Sequence, residues 1–205
     1  YGLNPDTGEL ISTHALNLVS ATGVPASGFT GLAALNDLLY VLDAGNDNTI
    51  YGYNPAAQTQ AGSFKVGSGQ GIVLDGGLAA ITGPDALLAA DLLTDQVYLI
   101  NAVTGEITNT INTGITRKTG LATADGEIFV GDFDSEDILV FGRDGQALRT
   151  LDVNSAQVAF GSLALGGDDV PGTIRTDNRF IDVTVGLDDV VYGLSGNQTT
   201  VRRYS

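Results

Sequence analysis

Acidic residues at short spacing are the part of this sequence best suited to chemistry. Residues 132–137 read Asp-Phe-Asp-Ser-Glu-Asp, so carboxylates alternate along a stretch that apolar runs flank on both sides. Calcium prefers roughly six to eight oxygen ligands, and carboxylates on a tight turn can supply several of them. We therefore predict a calcium site at Asp132, Asp134 and Asp137, although the glycine and distal Glu of an EF-hand loop are absent. The alternative is that these side chains cap the turn by accepting hydrogen bonds from its own amides.

Other acidic residues fall into two groups. Pairs at equivalent places in the chain are Asp43 with Asp47, Asp91 with Asp95, and Asp132 with Glu136. A second cluster, in or near a glycine-rich stretch, is Asp168, Asp169, Asp177 and Asp182. Long loops often carry binding sites, so this cluster is a candidate, and a solvated acidic loop is the alternative.

Residues for general acid–base or nucleophilic catalysis are sparse. His14 is the single histidine, and no serine nucleophile motif accompanies it. We predict no catalytic residues and no organic cofactor, which leans against an enzyme. Tyrosines fall within apolar runs at Tyr40, Tyr51, Tyr53, Tyr98 and Tyr192. Such aromatic residues usually pack between sheets, and a platform for stacking sugars is the alternative.

Composition limits the partners of this chain. Its 205 residues carry 24 acidic and 9 basic side chains, a formal charge of −15, so nucleic acid and anionic membrane surfaces would be repelled. Apolar runs are too short for a membrane span, and no cysteine is present for disulfides. The sequence begins without Met or a signal peptide, so we expect a processed chain or a fragment. The scarcity of lysine and the richness in Gly, Ala, Thr and Asn favour a bacterial extracellular or cell-surface location.

These side chains are positioned by a repeated unit of short apolar runs. Gly-Leu-Ala-Ala at 31–34 returns at 77–80, and as Gly-Leu-Ala-Thr at 120–123, spacings of 46 and 43 residues (31 to 77, 77 to 120). Three further runs follow each copy, which predicts a four-stranded antiparallel meander. The predicted second, third and fourth strands are 38–42, 49–53 and 63–66, then 86–90, 96–100 and 106–111, then 127–130, 138–141 and 147–153. Residues 85–93 also have good helix propensity, but their alignment with the first copy favours a strand.

Meanders of this length bury both faces only when they pack face to face around a central axis. The sequence therefore predicts one all-β domain, a small β-propeller of four to five blades with partial blades at both termini. The predicted units are a partial blade 1–17, blades at about 30–67, 77–113 and 119–153, an insert loop 156–179, and a partial blade 180–205.

Phrases joining first and second strands, at 31–41 and 182–192, resemble those of bacterial NHL and YVTN propellers. The turns at 4–9 and 101–106 look similar to the same group. The resemblance covers most of the chain outside 156–179 and implies the propeller fold, while propellers serve as enzymes, scaffolds and binding platforms alike.

The two ends predict an unusual closure. The start supplies two strands and the end three, so either one strand is displaced, or the ends do not meet within one molecule. The alternatives are that the chain is part of a longer propeller, or that the strands at the ends have a different register. An open strand edge is a template for another chain, and Arg202 and Arg203 beside it could dock on an acidic neighbour. We expect a non-enzymatic extracellular structural or interaction protein that self-assembles head to tail, as a homo-oligomer or filament, through its terminal strands. The alternatives are a propeller hydrolase or lyase using calcium or a carboxylate pair, and a glycan-binding module.

Overall fold

The computed structural model describes residues 2–3, 10–135, 137–151, 180–185, 191–195 and 200–204. Within these ranges the regular structure is all β, apart from one 3-10 turn at Ala44–Asn46. Among them no helix has the length and apolar character needed to cross a bilayer.

Strands are numbered in chain order. They are β1 (Gly2–Leu3), β2 (Leu10–Ala15), β3 (Phe29–Leu35), β4 (Leu38–Asp43), β5 (Thr49–Asn54), β6 (Thr59–Lys65), β7 (Leu74–Ile81), β8 (Ala86–Asp91), β9 (Gln96–Asn101), β10 (Ile107–Asn112), β11 (Lys118–Ala124), β12 (Glu127–Asp132), β13 (Ile138–Gly142), β14 (Ala147–Leu151), β15 (Phe180–Val185), β16 (Val191–Ser195) and β17 (Thr200–Tyr204).

The described strands form four antiparallel sheets, which are the blades of a β-propeller. Three are four-stranded meanders in chain order: β3 to β6, β7 to β10, and β11 to β14. This confirms the predicted fold class and repeat. The fourth strand of the first blade begins at Thr59, earlier than the predicted 63–66. Outermost strands face solvent, as the mostly exposed β6 does, so apolar runs mark their beginnings poorly.

Second strands are buried on both faces, which explains why their apolar runs are continuous. In β8, Leu87 packs in a cluster shared with the first blade, and its neighbour Leu88 packs in a cluster shared with the third blade. Both side chains are 0% exposed. Successive side chains of a strand point to opposite faces, so a strand between two blades needs apolar residues at every position. The Ala- and Leu-rich stretch around them is therefore strand, as its alignment predicts.

First strands lie closest to one another, which requires small residues. β7 packs between β3 and β11, and β15 packs against β3. A Cβ on Gly31 would lie 2.7 Å from Cβ of Leu78 and 2.8 Å from its backbone nitrogen. Gly77, at φ +117°, is also close to the next blade, since its Cβ would lie 3.1 Å from the nitrogen of Leu121. The repeated glycine thus sets how closely the blades approach.

Both ends of the chain contribute to the fourth sheet. Its strand order is β1-β2-β17-β16-β15, with a further pairing of β1 to β16. The expected alternative in which the ends do not meet within one molecule is therefore wrong for this structure. β1 and β17 both register against Val191 and Tyr192 of β16. Five strands thus share a sheet where the other blades have four. The predicted insert 156–179 lies outside the described residues.

Candidate functional site

The two ends of the blades carry different loops. Turns between first and second strands, and between third and fourth strands, lie at one end, which we call the hairpin face. Turns between second and third strands, and the connections from one blade to the next, lie at the other end, which we call the connection face. Antiparallel strands alternate in direction, so this division follows from the strand order of each meander.

Asp43, which ends β4 on the connection face, is a buried cap. It is 0% exposed, and its carboxylate accepts hydrogen bonds from the backbone amides of Ser27 at 3.0 Å and Gly28 at 2.8 Å. These amides belong to the segment that leads into β3. Its predicted partner Asp47 is exposed and pairs with Lys65 at 3.0 Å. The two carboxylates therefore have separate tasks, and Asp43 fastens the start of its own blade.

Asp91, at the same place in the second blade, holds a polar network. It is 1% exposed and accepts from the amide of Leu93 at 2.9 Å and from the hydroxyl of Tyr98 at 3.1 Å. The Tyr98 hydroxyl also lies 2.7 Å from the side-chain amide of Gln96. Burial, together with the charge of Asp91, raises the pKa of Tyr98. A carboxylate whose oxygens are held this way positions the turn rather than standing free as a base.

The third acidic turn is the predicted calcium site. Asp132 accepts from the amide of Asp134 at 2.9 Å and from the hydroxyl of Ser135 at 3.0 Å. Asp134 pairs with the guanidinium of Arg117 at 2.8 Å, and the amide of Asp137 donates to the Ser135 hydroxyl at 3.3 Å. Among the described residues, which leave out Glu136, no three His, Cys, Asp or Glu side chains are gathered to hold a metal ion. The calcium site stays a prediction, and a calcium-dependent rise in melting temperature that Asp134→Asn abolishes would support it.

The remaining sequence candidates have mixed outcomes. Asp168, Asp169 and Asp177 lie outside the described residues. His14 lies in β2 and Asp182 in β15, and the structure describes the backbone but not the side chain of each. Four of the five strand tyrosines are buried, with exposed fractions between 0 and 7%: Tyr40, Tyr51, Tyr53 and Tyr98. They pack inside or between blades and offer no open ring for stacking sugars.

An exposed apolar patch on the connection face was missed from sequence. It consists of Leu92, Leu93 and Phe133, which are 51, 68 and 52% exposed, together with Arg117, whose guanidinium lies 4.0 Å from the centre of the Phe133 ring. Each apolar residue directly follows the aspartate that ends a second strand, or comes one residue later. That position is the signal, because an apolar side chain in a turn has no sheet to pack against.

Lys118 connects the turn that carries Leu92 and Leu93 to the segment that carries Arg117. Its ammonium donates to the backbone carbonyls of Thr94 at 2.6 Å and Ile115 at 3.0 Å, and the residue is 9% exposed. Thr94 follows Leu93, and Arg117, whose carbonyl accepts from the amide of Phe133 at 3.0 Å, precedes Lys118. The turn of the second blade and that of the third are thereby held next to each other.

A cleft between the first and second blades is a further feature that sequence did not predict. Its volume is about 580 Å³, and it lies between the connection that follows β6 and the outer strands β9 and β10. Among the side chains that line it are Gln70, Ile72, Gln96, Tyr98, Glu106 and Thr110. Most of these carry hydrogen-bonding groups, which suits a polar ligand.

Several solved structures are similar to this chain. A chain in the crystal structure of a nidogen/laminin complex matches with a TM-score of 0.58 and 14% identity, over 84% of this chain and 74% of that one. The computationally designed protein Ika4 matches with a TM-score of 0.47 and 17% identity, over 92% of this chain and 98% of that one. Glutaminyl cyclase of Myxococcus xanthus matches with a TM-score of 0.41 and 11% identity, over 96% of this chain and 95% of that one. No protein-family model matches the chain, and no curated protein matches its sequence. Together with the sheet topology, the likeness to the nidogen/laminin chain identifies a β-propeller fold.

Proposed function

We propose that this protein is a non-enzymatic structural or interaction protein that associates head to tail with further copies of itself. The observation that supports the proposal is the exposed apolar patch on the connection face. Large contiguous apolar patches are rare on monomeric soluble proteins and often mark interfaces. Leu93 and Phe133 each leave half or more of their surface in water. Covering them would remove that apolar surface from solvent.

The hairpin face offers carboxylates to the one cation of the patch, Arg117. Across residues 29–151, its exposed acidic side chains are Asp37, Asp85, Glu106, Asp125 and Asp144, and Arg143 is the basic residue among these turns. The side chain of Arg117 in the patch is 60% exposed. This guanidinium already pairs with Asp134 of its own copy at 2.8 Å, and stacking the connection face of one copy on the hairpin face of another would bring further carboxylates to it. The contact uses two different surfaces, so it repeats from copy to copy and can extend into a filament.

The terminal strands offer a second route to the same assembly. β16 pairs with β15 along one edge. Both β1 and β17 also pair with Val191 and Tyr192 of β16. A strand has two edges, so β1 and β17 compete for one place. The strand that loses this place would be able to complete a sheet in a second copy. Arg202 and Arg203 in β17 would travel with it.

The setting of the protein is part of the proposal. Its low lysine content and charge of −15 are in keeping with a bacterial extracellular or cell-surface location. The likeness of its strand phrases to NHL and YVTN propellers supports descent from that group. A hydrolase or lyase that uses calcium or a carboxylate pair stays the alternative prediction from sequence.

Sedimentation velocity of the full chain tests self-association. We expect the average mass to rise between roughly 10 μM and 1 mM protein, a range suited to weak contacts. Added salt should strengthen association, because it screens repulsion between copies that each carry −15.

Two variants locate the contact. The double variant Leu93→Ser, Phe133→Ser should stay monomeric over the same range. Leu148→Ser is the matched control, because Leu148 is 46% exposed on the outer strand of the third blade and is not part of the patch. A wild-type chain that stays monomeric throughout would overturn the proposal. So would a double variant that associates as the wild type does.

A further inference from the structure

We propose that the cleft between the first and second blades binds a neutral saccharide. The inference does not rest on self-association, since no residue of the apolar patch lines the cleft. Its volume of about 580 Å³ falls within the roughly 300–1,000 Å³ typical of small-molecule sites. One wall is the connection that carries Gln70 and Ile72, and the other is the pair of strands β9 and β10.

The cleft is bounded by tight packing at one end. There the turn before β10 approaches the first blade closely, since a Cβ on Gly105 would lie 2.5 Å from Cδ2 of Phe64. Gly105 has φ +75°, which favours glycine at this position. The same turn brings Glu106 to the cleft. The contact between the two blades thus closes this end of the cleft, and Glu106 lies next to it.

The polar groups on the strand wall are held in place. The hydroxyl of Tyr98 lies between Asp91 and the side-chain amide of Gln96, at 3.1 and 2.7 Å. The Gln96 amide also lies 3.4 Å from Oδ1 of Asn112 on the neighbouring strand. Tyr98 is 5% exposed, so it anchors Gln96 from below and does not itself present an open ring. Side chains fixed before binding lose little conformational entropy when a ligand arrives.

The chemistry of the lining selects the ligand class. Gln70, Gln96 and Thr110 offer amide and hydroxyl groups that both donate and accept, and Glu106 offers a strong acceptor. Ile72 and Ile107 add apolar surface for the C–H faces of a sugar ring. Among the described residues that line the cleft, Glu106 carries the one full charge, so anions are disfavoured. This set of groups is best suited to a ligand that has many hydroxyls and no charge.

Titration of the full chain with maltose, cellobiose and N,N′-diacetylchitobiose, followed by saturation-transfer NMR and calorimetry, tests the inference. We expect saturable binding of at least one disaccharide with a Kd on the order of 1 mM. Gln70→Leu and Glu106→Leu should each weaken it about tenfold, since each removes a polar partner of the sugar hydroxyls. Gln146→Leu, an exposed glutamine in a turn of the third blade, is the matched control and should bind as the wild type does.

The outcomes that overturn the inference are distinct. One is the absence of saturable binding for all three disaccharides. Another is equal binding by the wild type and both cleft variants, which would move any sugar site elsewhere. A third is binding of spermidine without binding of saccharide, which would make the cleft a cation site built on Glu106. Urea unfolding of each variant shows that the variants are folded before they are compared.

Discussion

The ammonium of Lys118 lies 2.6 Å from the carbonyl oxygen of Thr94, which belongs to a turn of the preceding blade. The same ammonium donates to the carbonyl of Ile115 at 3.0 Å. At 9% exposure the side chain is buried between two blades, and its bond to Ile115 is buried as well, so a carbonyl left without a donor there has little access to water.

Lys118→Met should therefore destabilise the propeller by about 1 kcal/mol or more, because two carbonyls lose their donor while the aliphatic stem is largely kept. The measurement is the free energy of unfolding from urea melts. Lys65→Met is the control, because Lys65 forms an exposed pair with Asp47 and should change stability by less than about 1 kcal/mol. Equal effects of the two substitutions would contradict the assigned role.

The stability of the wild type should also depend on the protonation of Lys118. Burial lowers the pKa of Lys118, and the carboxylates of Asp91 and Asp95 offset part of this effect. The unfolded chain then keeps the proton to higher pH than the folded chain does. Stability should rise with pH between the lowered pKa and the usual 10.5. The free energy of unfolding of Lys118→Met should lack this rise, and a parallel pH profile would argue against it.

Tyrosine ionisation acts in the opposite direction. Burial raises the pKa values of Tyr40, Tyr53 and Tyr98 above the usual 10.0, and for Tyr98 the charge of Asp91 adds to this. A raised folded-state pKa contributes stability that is present below pH 10 and is lost as the pH rises through the folded value. Tyr98→Phe should reduce that alkaline loss. At pH 7 it should destabilise by about 1 kcal/mol, because Asp91 loses a buried donor. Unfolding melts at pH 7 and above pH 10 check both parts, and an unchanged alkaline slope would be inconsistent with them.

The glycine at the start of the repeat should tolerate no side chain. In Gly31→Ala the new methyl would meet Cβ of Leu78 at 2.7 Å, so the two innermost strands must move apart. We expect a loss of about 1–3 kcal/mol, typical of overpacking. Gly62→Ala is the control, since nothing lies within 4 Å of a Cβ built there. Urea midpoints that shift equally for both variants would contradict this expectation, because the strands would then move apart without a loss of stability.

The buried Asp43 should contribute more to the stability of the first blade than the exposed Asp47 does. Asp43→Ala leaves the amides of Ser27 and Gly28 without their acceptor and should cost roughly 2–4 kcal/mol. Asp47→Ala removes an exposed ion pair and should cost less than about 1 kcal/mol. Thermal or urea unfolding distinguishes the two, and a mild effect at Asp43 would mean that water replaces the carboxylate.

Much of the architecture could be predicted from sequence because each blade repeats local signals. Continuous apolar runs such as 38–42 and 86–90 mark strands buried on both faces, and polar turns mark their ends. The bounds of outer strands such as β6 were predicted less accurately, since these strands are largely exposed to water and carry fewer apolar residues. The acidic turns were correctly placed at the ends of second strands, but their hydrogen-bond partners were not predictable. Asp43 and Asp91 look alike in sequence, yet one caps a neighbouring segment and the other binds a tyrosine hydroxyl.

By itself, the sequence determined the repeat, the all-β class and the acidic surface, because these depend on spacing and composition along the chain. Only the tertiary structure decided that both ends share one sheet, that the turns carrying Leu93 and Phe133 are held next to each other, and that an open polar cleft lies between two blades. Each of these joins residues from different blades. Their proximity depends on how sheets pack around the glycines of the innermost strands, a relationship that no local pattern encodes.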